Sequence, residues 1–114
     1  MSEELKPLES VVLDVVGRYV SRKLSNKYDL EWKSASTSEA GKKEYDDKKT
    51  KVAKEAFLAV RARTGADFID YFVSTLCSVP QYLPEPTFLI LSQQLYADPQ
   101  RIRTLTLLAL SARS

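Results

Sequence analysis

The chain has 114 residues, which is long enough for one domain with one hydrophobic core. Its 17 basic and 15 acidic residues nearly balance, so net charge alone implies no partner. The absence of histidine, together with a single cysteine, excludes an internal disulfide and the usual zinc sites. Only three glycines and five prolines interrupt a sequence rich in Leu, Val, Ala and Lys. This composition favours an all-α fold, and we predict a single domain, residues 1–114, that forms a compact bundle of about five helices.

The first predicted helix extends from about Pro7 to Asp29, because apolar residues recur there at three- and four-residue steps. Gly17 lowers the stability of a helix by about 1 kcal/mol relative to alanine. We therefore expect either a bend at Gly17 or a neighbouring element packed closely against it. The apolar positions of this helix are Leu8, Val11, Val12, Val15, Val16, Tyr19 and Val20.

The first and second helices are joined by residues 33–41, which are small and polar and predict a flexible linker. The second helix is expected to begin near Ser36 or Ser38. Ser36 and Glu39 have the spacing of a capping box, in which each side chain bonds the backbone of the other residue.

The second helix separates an apolar face from a basic face at 100° per residue. Lys43, Lys54 and Arg61 lie together on the basic face, with Lys51 beside them. They form a basic stripe that is roughly 27 Å long. Such a helix joins a bundle through one face and is able to follow a phosphate backbone with the other. The apolar face consists of Tyr45, Val52, Ala56 and Ala59.

The second helix is expected to end at about Arg63, where Gly65 supplies the left-handed residue that commonly follows a helix end. A third helix then begins at Asp67, an acid suited to a first turn, and ends before Pro80. Residues 80–86 contain three prolines and predict a rigid turn. The third helix carries a wide apolar stripe that we expect in the core, formed by Phe68, Ile69, Phe72, Val73, Leu76 and Val79.

Two further helices complete the predicted bundle. The fourth extends from Thr87 to Ala97, and Asp98 and Pro99 are a favourable N-cap and first residue for a fifth helix that ends near Ala112. The fifth helix is apolar on several sides, since Leu107 and Leu110 extend its apolar surface, so we expect it to have more than one neighbour. The residues expected in the core are Phe88, Leu91 and Leu95 from the fourth helix and Ile102, Leu105, Leu108 and Ala109 from the fifth.

No group of residues resembles a catalytic site, and we predict a non-enzymatic protein without a metal, a cofactor or a small-molecule substrate. The three glycines are too far apart for a phosphate-binding loop. Asp67 and Asp70 lie one turn apart, but acids near the start of a helix stabilise its N-terminus. Cys77 has no histidine to activate it, so we interpret it as a packing residue. The function must therefore be binding.

The charges of the chain are unevenly distributed. Residues 42–63 contain eight basic and four acidic side chains, residues 64–100 contain four acids and no base, and residues 101–114 contain three arginines and no acid. Two basic segments around an acidic one point to a polyanion, although solvated helix faces give the same pattern. No aromatic residue interleaves with the stripe, so we expect contacts to the backbone rather than base stacking. The candidate nucleic-acid-binding residues are Lys43, Lys51, Lys54 and Arg61 of the stripe, together with Arg18, Arg22, Lys23, Arg101 and Arg103.

A resemblance to a known family lies in two segments, AFLAVRARTGADFIDYFVSTLCSVPQYL and RIRTLTLLALSAR. They are similar to the C-terminal helical region of the large subunit of Cascade, the type I CRISPR surveillance complex, in its myxobacterial-type I-B branch. In that branch the region is also made as a separate small subunit. A chain that starts at Met1 and ends just after Arg113 resembles that small subunit. The resemblance covers about Lys51 to Ser114.

This resemblance implies a helical subunit of which several copies contact one another, the backbone subunits and the large subunit. It also implies that the subunit bridges its neighbours in antiviral defence, helps to hold the guide RNA–target DNA duplex and stabilises the displaced non-target DNA strand. A basic stripe suits RNA-guided recognition, because base pairing reads the sequence while protein contacts the backbone. The family supplies no residue-level motif for this role, so the basic residues above are our own assignment.

Two other functions fit the sequence. A helical protein–protein adaptor would bind no nucleic acid and would leave its lysines solvated. A helix-turn-helix regulator would use Thr64 and Gly65 as its turn, but the helix that follows is too apolar for a major groove. The first ten residues do not resemble a signal peptide, and no stretch approaches the roughly 20 apolar residues of a membrane span. With a lone cysteine, these features predict a cytoplasmic protein that does not contact a membrane.

Overall fold

The computed structural model describes the backbone of residues 6–77 and 85–113 and the side chains of residues 8–77 and 89–113. Within these residues the secondary structure is helical, without a strand, so the all-α prediction is confirmed. A π-helical turn, Phe72–Leu76, continues the fourth helix. The α-helices are α1 (Lys6–Tyr28), α2 (Trp32–Ala35), α3 (Glu39–Arg61), α4 (Gly65–Tyr71), α5 (Glu85–Ala97) and α6 (Pro99–Ser111).

Helix α1 is the element around which the three longest of the other helices pack. It contacts α3, α5 and α6, and α3 and α6 also contact each other. Its apolar residues recur at helical spacing, so a single face enters the core. Val12, Val16 and Leu24 are each no more than 1 % exposed. The predicted apolar face is therefore confirmed, and it consists of Leu8, Val11, Val12, Val15, Val16, Tyr19 and Val20, all of them buried.

The segment between α1 and α3 is more regular than its composition indicates. The predicted linker, residues 33–41, contains most of α2 and the first turn of α3. Trp32 at the start of α2 packs edge-on against Tyr45 of α3, with ring centroids 5.2 Å apart, which holds this short helix in place. The flexibility of residues 33–41 stays a prediction.

The two ends of α3 differ in how they are capped. The hydroxyl of Ser38 accepts a hydrogen bond from the backbone N of Gly41 at 3.0 Å. Ser38 is therefore the N-cap, and the capping box predicted from Ser36 and Glu39 is wrong. At the other end α3 stops at Arg61, and its C-cap Ala62 is right-handed. Gly65 has the predicted left-handed conformation, with a φ of 55°, but it begins α4 and does not cap α3.

The π turn after α4 determines which residues of the predicted third helix are buried. The backbone N of Cys77 donates to Phe72 O at 2.7 Å, the i+5 hydrogen bond of a π turn. Because this turn holds more residues than an α turn, residues four positions apart stay on one side. Phe68, Phe72 and Leu76 are each no more than 1 % exposed, whereas Val73 is 44 % exposed. The prediction that Val73 enters the core is wrong.

Helix α5 begins at Glu85, slightly earlier than predicted. Its residues Leu91 and Leu95 are buried, as predicted. The other predictions for this region lie outside the described residues, and they concern the turn at residues 80–84, Pro80 as the end of the third helix, and the side chains of Val79 and Phe88.

Helix α6 begins as predicted but faces a different way. Asp98 Oδ1 accepts a hydrogen bond from Arg101 N at 3.2 Å, which makes Asp98 the N-cap. Leu108, predicted to face inward, is 62 % exposed, while Thr106 and Leu110 are fully buried. The prediction for Leu108 is wrong because α6 is apolar on several sides, so the helical period alone does not select its inner face.

Arg103 joins α6 to the end of α3. Its Nε donates to Arg63 O at 2.8 Å, and its Nη2 donates to Arg61 O at 2.9 Å. Carbonyl groups at a helix end lack partners within the helix, and one guanidinium here satisfies two of them. The contact of Arg103 with nucleic acid stays a prediction, but its hydrogen bonds in this structure are to the protein backbone.

We expect Phe72→Ala to lower the free energy of unfolding by roughly 3 kcal/mol or more, as core aromatic truncations usually do. The Phe72 ring is 1 % exposed, and its centroid lies 5.6 Å from that of Phe68. Chemical denaturation measures the change. Val73→Ala in the same turn is the control, with an expected change of about 0.5 kcal/mol or less. Equal losses for the two variants would contradict the assigned burial.

We expect Arg103→Ala to lower the free energy of unfolding by about 1–3 kcal/mol, because it leaves two carbonyl groups at the end of α3 without their donor. Arg101→Ala is the matched control, since Arg101 is exposed and its side chain has no partner among the described residues. Thermal and chemical denaturation of both variants measure the difference. The role of Arg103 is contradicted if its loss is as mild as that of Arg101.

Candidate nucleic-acid interface

Four basic side chains lie on one exposed face of α3, as predicted. Lys43, Lys51, Lys54 and Arg61 are all exposed, and none forms an ion pair or a side-chain hydrogen bond with another described residue. We call these four residues the α3 stripe. It is roughly 27 Å long from end to end. The opposite side of the helix enters the core through Tyr45, Val52, Ala53, Ala56 and Val60.

The other lysines of α3 interact with the protein itself. Lys42 and Lys49 form ion pairs with acids three residues earlier, at 3.7 and 3.9 Å. Lys48 Nζ lies 4.9 Å from the centroid of the Tyr28 ring. Asp47 is an exposed acid on the same arc as the α3 stripe and reduces its positive charge. Helix α3 therefore carries two sets of basic residues. The set without partners within the described protein is the α3 stripe, which is the set that the helical spacing predicted to lie on one exposed face.

The remaining basic residues predicted to bind nucleic acid do not extend the α3 stripe into one surface. Lys23 is exposed on α1 and lines a small cleft between α1 and α3 that also contains Glu55. Arg101 is exposed in the first turn of α6, while the Arg103 guanidinium is bound to the end of α3.

Arg18 and Arg22 lie in a groove along α1, together with Arg113 from the end of α6. Arg18 Nε donates to Asp14 Oδ2 at 2.8 Å, and Arg22 Nη2 donates to Thr75 O of the π turn at 3.3 Å. No residue of α3 lines this groove. Sequence reasoning did not select Arg113, because only the packing of α6 on α1 brings that terminal residue to the groove.

Tyr19 and Tyr71 meet beside the cleft that Lys23 lines, and they connect α1 to α4. The two phenol groups lie close enough to affect each other's pKa. Burial, and secondarily the neighbouring Tyr71, raises the pKa of Tyr19 to about 12. Burial also raises the pKa of Tyr71, against the lowering effects of the Tyr19 hydroxyl and of Arg63, whose guanidinium carbon lies 4.7 Å from the ring centroid. Both phenols are neutral at physiological pH.

The described part of the chain holds few groups with metal-binding or nucleophilic character. It holds no cluster of three or more His, Cys, Asp or Glu residues that could bind a metal. Burial raises the pKa of the Cys77 thiol, and nearby Arg22 only opposes this, so the thiol lacks the environment of an activated nucleophile. None of the described helices combines the length and apolarity needed to cross a membrane.

The tyrosine pair predicts how stability changes at alkaline pH. A raised folded-state pKa means that the stabilisation is complete below pH 10, the ordinary tyrosine value, and is lost as pH rises from 10 toward about 12. We expect Tyr19→Phe to flatten this decline in the free energy of unfolding. Tyr96→Phe on α5 is the control, because Tyr96 is 66 % exposed. Chemical denaturation across this pH range measures both, and equal declines in the two variants would refute the assignment.

A comparison with known protein families matches nearly the whole chain. The family model for the type I-B CRISPR Cas8b C-terminal domain matches residues 1–113. The resemblance to the I-B Cascade region is therefore confirmed, and it extends to the first helix, which the sequence alone did not connect to the family. No curated protein matches the chain.

Proposed function

Because the chain belongs to the family of type I-B CRISPR Cas8b C-terminal domains, and so is a component of a Cascade complex, we propose that it is a non-catalytic small subunit that contacts nucleic-acid backbones. In this proposal it bridges the large subunit, the backbone subunits and further copies of itself in antiviral defence. Its α3 stripe contacts the phosphates of the guide RNA–target DNA duplex or of the displaced non-target strand.

The observation that carries this proposal is the contrast between the two sets of lysines on α3. A basic residue used for folding has a partner within the protein, as Lys42 and Lys49 do. The α3 stripe is exposed without such partners, and within it Lys51 and Lys54 lie one turn apart and repel each other. A bound polyanion removes that repulsion and releases counterions, which is the main source of affinity in backbone binding.

The dimensions of the α3 stripe suit a phosphate backbone. One strand of a B-form duplex presents a phosphate about every 3.4 Å along the axis, so roughly eight phosphates lie within 27 Å. Four cations are able to contact a subset of them without exact register. Helix α3 contains no Asn or Gln, and its two aromatic residues, Tyr45 and Phe57, are not exposed, so we expect the stripe to contact mainly phosphates and its affinity to depend little on sequence.

The test removes the α3 stripe from the assembled complex. We expect the combined variant Lys43→Ala, Lys51→Ala, Lys54→Ala and Arg61→Ala to fold normally and to weaken DNA retention. On single-stranded DNA, four lost phosphate contacts reduce the slope of log affinity against log salt concentration by up to about 3. Binding titrations of the guide-RNA-loaded complex at several salt concentrations measure this slope.

The matched control replaces the partnered lysines of the same helix. Lys42→Ala, Lys48→Ala and Lys49→Ala together remove nearly as much charge, but we expect a slope change of less than about 1. If the α3 stripe variant retains the salt slope of the unmodified complex, or if both variants lower it equally, the stripe is not the binding face.

A second candidate function is a helical protein–protein adaptor that contacts no nucleic acid. It is favoured by the exposed leucines of the bundle, among them Leu13 and Leu108, which are 47 % and 62 % exposed. A pure adaptor contributes nothing to the salt dependence of DNA binding. The α3 stripe variant therefore separates the two functions.

A further inference from the structure

We propose that the crease between α1 and α6 binds an acidic amphipathic helix of a neighbouring protein subunit. This inference rests on the proposed function, because it requires that the chain be assembled with other subunits. The crease is a separate surface from the α3 stripe, and none of its lining residues belongs to α3. It is formed by Leu13, Gly17 and Arg18 of α1, Leu105 and Leu108 of α6, and Arg113.

One half of the crease is apolar. Leu13, Leu105 and Leu108 line a cleft of about 160 Å³ between the two helices, with the exposed Glu9 at its edge. Leu13 is 47 % exposed and Leu108 is 62 % exposed, so neither is used to form the core. Two exposed leucines at one cleft form a concave apolar site with room for a single large aliphatic side chain from a partner.

The other half of the crease is basic and begins beside the same leucines. Arg113 crosses α1 at Gly17, where an added Cβ atom would lie 3.1 Å from Arg113 Nη2. Its Nη1 donates to Ala109 O at 3.1 Å, which fixes the guanidinium at this position. Arg18 and Arg22 follow along α1 in the same groove. Gly17 thus allows the end of α6 to place a third arginine next to the two arginines of α1.

Charge complementarity selects the acidic character of the partner. Three arginines line the basic half against two acids, Asp14 and Glu31, and Asp14 is already paired with Arg18. The third acid of the crease, Glu9, lies at the far end of the apolar half. Arg22 and Arg113 each donate to a backbone carbonyl through one nitrogen, and a guanidinium has five N–H donors in all. A planar guanidinium binds a carboxylate through two parallel hydrogen bonds, which makes arginine frequent at protein interfaces. The basic half therefore suits carboxylate side chains.

The neighbouring leucines argue for protein rather than nucleic acid as the occupant. A phosphate backbone leaves Leu13 and Leu108 exposed to water, whereas an amphipathic helix covers them with its apolar face. The α3 stripe contains mostly lysine, whose compact charge suits phosphates at variable positions. The crease contains only arginine among its basic residues, beside apolar groups, which is the composition of an interface centre.

The spacing within the crease describes the partner more closely. From Leu13 to Arg18 the rise along α1 is roughly 7.5 Å, and from Leu13 to Arg22 it is roughly 13.5 Å. A helix laid along the crease meets these points with an apolar side chain and with carboxylates about one and a half and two and a half turns away. The positions on the same helix face that come nearest to these distances are four and eight residues from the anchor. The expected partner segment is therefore a helix whose apolar anchor is followed or preceded by Asp or Glu at four- and eight-residue steps.

The test replaces an exposed leucine of the crease in the assembled complex. We expect Leu108→Glu to lower the affinity of the chain for the complex about tenfold or more, because it places a carboxylate in the cleft that receives the partner's apolar side chain. Leu89→Glu is the matched control, since Leu89 is 53 % exposed on α5, outside both the crease and the α3 stripe. Pull-down of guide RNA with each tagged chain measures retention, and thermal melting verifies that both variants fold.

A second measurement identifies the occupant. A photo-crosslinking residue at Leu108 is activated in the assembled complex, and mass spectrometry identifies the linked peptide. A crosslink to an acidic helix of another protein subunit supports the proposal. A crosslink to nucleic acid, a crosslink only to a second copy of this chain, or no crosslink overturns it. So does unchanged retention of the Leu108→Glu variant.

The two proposals fail in different ways. If the unmodified chain does not recover guide RNA at all, the proposed function fails together with the inference that rests on it. If the unmodified chain recovers guide RNA and Leu108→Glu does so equally well, only the crease assignment fails.

Discussion

Burial of one face of α1 is the interaction on which the rest of the structure depends. Val12, Val16 and Leu24 are almost completely excluded from water, and α3, α5 and α6 all contact this helix. In a chain of this size one core supplies most of the hydrophobic stabilisation, so the orientation of α3 and α6 follows from the faces they turn toward α1. Each helix keeps an outer face, basic on α3 and partly apolar on α6. The candidate binding surfaces are these outer faces.

Helix ends determine which basic residues remain available. Arg103 bonds two carbonyl groups at the end of α3, Arg63 Nη1 donates to Ala59 O, and Arg22 donates to Thr75 O in the π turn. A guanidinium has five N–H donors in a fixed plane, so it satisfies carbonyl groups that a helix end leaves open. Lysine does this less well. In the described part of the chain several arginines therefore stabilise the fold, while exposed lysines supply most of the α3 stripe.

The sequence predicted the orientation of α1 and α3 because each has one apolar side, and the same period identified the exposed residues of the α3 stripe. It did not predict the inner face of α6, where leucines on several sides allow more than one orientation. Contact with α1 selects the orientation that buries Leu110 and exposes Leu108. The π turn, which exposes Val73, has no local sequence signal. Arg113 joins the crease through a contact between distant parts of the chain, so periodicity within one helix gives no indication of it.

The two proposed surfaces differ in how they respond to ionic strength. Contacts between lysines and phosphates depend on counterion release, so their affinity falls steeply as salt increases. A crease that combines Leu13 and Leu108 with arginines gains affinity from apolar burial, which salt does not screen, as well as from partly desolvated ion pairs, which it screens less than exposed ones. If both proposals hold, we expect the subunit to release nucleic acid at salt concentrations at which its protein contacts persist. This order of release would then follow from the placement of the two chemistries on separate faces of the fold.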